Sequence, residues 1–143
     1  MPEKLTDWQM IAALYKKVAE NTDISGQAVD IAVGTKLSFM VREGAEVIAA
    51  VTGAAKETDD GYNYQLSIVR HDGNSYFLVF PDIETAAAMG KGYTYCKVEE
   101  LLRLIYNTPQ MRGIQLVIEY DKETEIFSTG EITKNMAVIA LDI

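Results

Sequence analysis

The strongest constraint on this chain is a short stretch at its middle. Tyr62, Tyr64, Leu66 and Ile68 alternate with Asn63, Gln65 and Ser67, and His71-Asp72-Gly73-Asn74 then leads into Tyr76-Phe77-Leu78-Val79-Phe80. An Asp-Gly pair between two such runs supplies the positive φ that a tight hairpin turn needs, so two antiparallel strands are predicted. The second run is apolar on both faces. Such a strand must be covered from above and below, which makes it central to a sheet.

Local signals place further elements. Thr6-Asp7-Trp8-Gln9 is a capping box, and Ile11, Leu14, Tyr15 and Val18 follow at helical spacing. Asp82 caps a short helix, Ile83 to Met89, which Gly90 and Gly92 end. Tyr93 to Cys96 is β-prone. Val98, Leu101, Leu102 and Ile105 form one apolar stripe, so Lys97 to Tyr106 is predicted helical, closed by Asn107-Thr108-Pro109. Gly113 to Tyr120 reads as a strand, and Asp121-Lys122-Glu123 turns it into Glu125-Ile126-Phe127.

Four segments rest on shorter patterns. Residues 21–35 read as a connection with a short element around Ala28 to Val33. Leu37, Phe39 and Val41 alternate with polar or flexible neighbours, which predicts a strand that turns at Arg42-Glu43-Gly44 and pairs with Val47 to Val51. Thr52 to Gly61, rich in small and charged residues, reads as a loop and the candidate for local disorder. Ser128 with Glu131 three residues on forms a second capping box, predicting a C-terminal helix through Ile132, Met136 and Ile139. The expectation is therefore a single α+β domain over residues 1–143, with a mixed, mostly antiparallel sheet and helices packed on it. Residues 1–30 are expected to form an accessory N-terminal helical segment.

Charge narrows the partners. With 13 basic and 21 acidic residues among 143, the net charge is −8, which disfavours nucleic acid and anionic membranes. No apolar run approaches the ~20 residues of a membrane span. Met1 to Trp8 lacks a basic stretch followed by an apolar one, so no signal peptide is expected and a cytoplasmic location is. One cysteine excludes an internal disulfide framework and a Cys-cluster zinc site, and no cofactor motif is present.

Side chains able to do covalent chemistry are sparse. His71 is the only histidine and falls in the predicted hairpin turn beside Asp72. Cys96 lies between Tyr95 and Lys97, where the ammonium is able to favour a thiolate, but no Cys-His signature surrounds it. Gly90-Lys91-Gly92 has the wrong spacing for a phosphate loop and reads as a helix end. The carboxylates at Asp59-Asp60, Glu99-Glu100 and Asp121, Glu123, Glu125 match no calcium loop. Seven of the eight tyrosines, among them Tyr93 and Tyr95, fall in or beside the sheet, where a ring with a polar tip suits an interface. These observations point to action through the surface, with no catalytic or metal-ligating residues.

Gly73-Asn74-Ser75-Tyr76-Phe77-Leu78-Val79-Phe80-Pro81-Asp82-Ile83-Glu84-Thr85-Ala86-Ala87-Ala88 resembles a segment of the SseB N-terminal domain family, bacterial proteins named for an enhanced serine sensitivity phenotype. The order of the later elements is similar too: Tyr93-Thr94-Tyr95, a helix holding Leu101-Leu102, then a strand from Gly113. The likeness spans about residues 36 to 140. Pro81 stands where that family is expected to carry Thr or Ser, and Glu119-Tyr120 where it carries Asn-Pro. The resemblance implies a small α+β domain without established catalytic residues, acting through a protein partner or self-association. The alternative from the residues is a small-molecule-binding regulator or cryptic hydrolase with a pocket near Tyr93, Tyr95 and Arg112, the arginine serving as anion anchor.

Overall fold

The computed structural model describes residues 6–20, 23–58 and 61–143. In chain order these form α1 (Asp7–Glu20), α2 (Gly26–Arg42), β1 (Glu46–Thr58), β2 (Gly61–Leu66), β3 (Ile68–His71), β4 (Asn74–Phe80), α3 (Ile83–Ala88), β5 (Tyr93–Lys97), α4 (Val98–Asn107), β6 (Met111–Asp121), β7 (Ile126–Thr133) and α5 (Lys134–Leu141). The seven strands make one mixed sheet in the order β2-β1-β4-β6-β7, with β3 beside β4 and β5 beside β1. Only β4 and β6 run parallel, joined through α3, β5 and α4; every other pair is antiparallel. The fold class is α+β, as the interleaved signals imply.

The Asp72-Gly73 hairpin forms between β3 and β4, but the first predicted run divides: Tyr62 to Leu66 belongs to β2, which pairs with β1, and only Ile68–His71 pairs with β4. Asp72 and Gly73 both take positive φ, 51° and 81°, and His71 pairs with Asn74 across the turn. Along β4, Tyr76 to Phe80 are all buried. Alternation sends Phe77 and Val79 to one face and Leu78 and Phe80 to the other. On the first face, Val47, Ala49, Ile114, Leu116 and Ile132 join them under α1, α2, α4 and α5. On the second, Ala50 and Val117 join Leu78 and Phe80 under Ala86 of α3.

Helix ends follow the predicted chemistry where a polar side chain can reach. The Thr6 hydroxyl accepts from the Gln9 amide at 3.1 Å, and Gln9 Oε1 accepts from the Thr6 N–H at 2.9 Å. Asp82 accepts from the Thr85 amide at 2.8 Å. Burial works against the Asp82 charge, yet hydrogen bonds from Thr85 and Gln9 prevail and hold its carboxyl below the usual value.

Four further expectations are corrected. The predicted strand at 36–42 is the second half of α2. Two apolar periods coincide over those few residues, but the longer window shows Val29, Val33, Leu37 and Met40 on one buried stripe, opened by Ser25 accepting from the Ala28 amide. The turn at Gly44 (φ +70°) then ends a helix: Ala45 N–H donates to Met40 O and Gly44 N–H to Val41 O, the pattern that satisfies terminal carbonyls. The predicted loop from Thr52 belongs to β1 as far as Thr58, and Gly61 begins β2; Asp59 and Asp60 lie outside the described residues. The predicted helix start at Ser128 is strand β7, paired with β6 from Gly113 to Asp121, and the cap sits at Thr133, whose hydroxyl accepts from the Met136 amide. Finally, α1 is not accessory at its inner face. Trp8, Ile11 and Ala12 are buried in the main core, and the Trp8 indole donates to Glu46 O at 3.1 Å.

Candidate functional site

The two reactive side chains are far apart. His71 sits at the tip of the β3–β4 hairpin, its ring largely exposed and 3.4 Å from Asp72. Cys96 pairs with Val47 near the other end of β4, because Ile48 pairs with Phe80. The six strand steps from Asn74 to Phe80 correspond to roughly 20 Å. Burial, then the charges of Glu100 and Glu46, push the Cys96 thiol up to about 11, so it stays protonated at neutral pH. Lys97, which the sequence offered as a thiolate partner, donates instead to Gly44 O at 3.1 Å.

Nor do Tyr93, Tyr95 and Arg112 share a pocket. Tyr93 and Tyr95 meet edge to face on β5, with centroids 6.1 Å apart; Tyr93 packs against the smaller core and Tyr95 is half exposed. Arg112 is on β6, and β1 and β4 lie between. Three interstrand steps amount to roughly 14 Å.

Arg112 has other company. Ser75 pairs with Met111 but Tyr76 with Gly113, so Arg112 is the extra residue of a β-bulge, a device that re-aims a side chain. Its Nε lies 3.5 Å from Glu131 on β7. The buried Tyr76 phenol faces the same pair; burial first, then the Glu131 charge, raise its pKa, while Arg112 opposes them. Beside these groups lies a polar cleft of about 390 Å³ that also takes in Asn74, Thr133, Lys134 and Asn135. Sequence reasoning reached Arg112 but missed Lys134 and Asn135. Both were assigned to the interior of a helix that in fact begins with them.

A second surface lies at the outer edge of β7, the last strand of the sheet order. Tyr15 packs its ring over Gly130 and donates its hydroxyl to Glu131 O. Along an antiparallel strand, residues alternate in which side their N–H and C=O address. Glu131, whose carbonyl is open to Tyr15, therefore shares its outward side with Thr129 and Phe127. Beyond Tyr15 the edge carries no further strand among the described residues. Ile126 and Phe127 stand there 69% and 41% exposed. The adjoining turn holds Glu123 and Glu125 against Lys122, next to Asp121 at the end of β6, and Glu119 of β6 is paired with Lys16 of α1.

Among the described residues, no group of three or more His, Cys, Asp or Glu is placed to hold a metal ion, and no helix is long and apolar enough to cross a membrane. Comparison with known proteins finds no matching family model, no matching curated protein and no matching solved structure.

Proposed function

We propose that this chain is a non-catalytic protein-interaction module of the SseB-like kind, bacterial and cytoplasmic, that receives an extended basic segment of a partner along the outer edge of β7. The observation that carries this reading is the open edge at Phe127 and Thr129 with Ile126 and Phe127 in solvent. Natural sheets blunt such edges with Lys, Pro or a covering element, because an unpaired strand templates another. Here cover stops at Tyr15. A strand added to the edge would satisfy outward backbone groups and shield the two apolar side chains, the mode of β-augmentation. The acidic turn next to it selects the charge of the incoming segment, since opposite potentials speed encounter and like charges reject it.

The test is a titration of the isotope-labelled domain with short peptides of alternating lysine and valine or alternating glutamate and valine, followed through amide chemical shifts. Saturable shifts at residues 126–129 with the basic peptide, none with the acidic one, and loss of the basic-peptide shifts in Phe127→Pro are expected. Proline there removes an outward N–H but no bond to β6. Shifts that survive in Phe127→Pro, or that map away from β7, would sink the proposal.

A further inference from the structure

We propose that the cleft between the start of β6 and the N-terminus of α5 binds a small polar molecule through its carboxylate, with Arg112 as the anchor. This site is separate from the β7 edge and stands without it. Four independent features converge there. The bulge on β6 delivers Arg112 to the cleft. Glu131 lies 3.5 Å from the Arg112 Nε and the arginine side chain stays 59% exposed, so a guanidinium with five N–H donors keeps donors for an incoming carboxylate. Lys134 Nζ is held by Thr108 O at 3.1 Å, which fixes an ammonium at the cleft wall. The first-turn amides of α5 complete the set: Thr133 takes the Met136 N–H, and the preceding amides have no partner within the helix.

Net charge decides the ligand class. Arg112 and Lys134 against Glu131 leave one surplus positive charge in a chain that is otherwise strongly acidic. One carboxylate matches that surplus, whereas a phosphate dianion overfills it. The side chains of Asn74, Thr133 and Asn135 then offer donors and acceptors to hydroxyl or amide groups on the rest of the molecule. A volume of about 390 Å³ suits a small metabolite.

The test uses the full chain and two probes, glycolate and inorganic phosphate, with binding read from the Arg112 Nε–H and the Lys134 and Asn135 amide signals. Glycolate should give saturable shifts at these three positions and bind more tightly than phosphate. Arg112→Gln should weaken glycolate about tenfold or more, the loss expected of a charge-assisted bidentate contact, and Arg112→Lys should not restore it. Glu131→Gln removes the internal competitor and should tighten binding. No saturable shift, an undiminished affinity in Arg112→Gln, tighter binding of phosphate, or weaker binding in Glu131→Gln would each overturn the assignment.

Discussion

Gly130→Ala probes how α1 closes the inner part of the β7 edge. Gly130 pairs with Leu116 and is buried. A Cβ built on it would lie closer than 3.0 Å to three carbons of the Tyr15 ring. That ring cannot swing aside cheaply, because its hydroxyl is bonded to Glu131 O and its body packs on the main core. Overpacking of this kind costs about 1–3 kcal/mol. For a domain of this size the corresponding fall in Tm is roughly 3–10 °C. Removing the ring should reverse the effect. In a Tyr15→Ala background the three nearest obstacles to the added methyl are gone, and replacing glycine within a strand then recovers about 0.5–1 kcal/mol of backbone entropy. A double-mutant cycle by urea denaturation should therefore give a coupling of about 1–3 kcal/mol, with Gly130→Ala neutral or stabilising once Tyr15 is gone. An equal cost in both backgrounds would refute the reasoning, since Tyr15 could not then be the group over Gly130.

Cys96 should alkylate more slowly than a free thiol at pH 8, with the folded protein's rate rising towards an inflection near 11. Because its folded pKa lies above its unfolded one, its contribution to stability is complete below the unfolded value of about 9 and is lost as pH rises towards 11. Glu125 takes positive φ (59°) in the turn that ends β6, so Glu125→Gly should stabilise the domain by about 1 kcal/mol, measured by urea unfolding. The same substitution removes one carboxylate from the acidic turn and should slow association with the lysine–valine peptide.

The elements legible in the sequence are those whose cause is local. The Thr6–Gln9 box, the Asp82 cap, the Asp72-Gly73 turn and the stripe from Val98 to Ile105 all specify themselves within a few residues, and each forms as read. Where a local pattern competes with a distant partner, the partner wins. Ser128 and Glu131 spell a helix start, yet the ladder to β6 makes them strand. Leu37, Phe39 and Val41 spell a strand, yet the stripe that runs from Val29 to Met40 makes them helix. The candidate sites are less legible for the same reason. Arg112 could be suspected from its charge alone. Its neighbours Glu131 and Lys134 depend on β6 lying between β4 and β7, and no short-range pattern encodes that order. The openness of β7 is also a property of strand order, and sequence reasoning passed over Ile126 and Phe127 for that reason.

Amide hydrogen exchange along β7 is the most direct measurement of whether this edge is a docking strand. In the free domain, the Phe127 and Thr129 amides should exchange quickly while Ser128 and Gly130, bonded to β6, are protected; adding the basic peptide should slow the first pair. Equal protection of all four amides in the free domain would contradict the account, because the edge would already be filled.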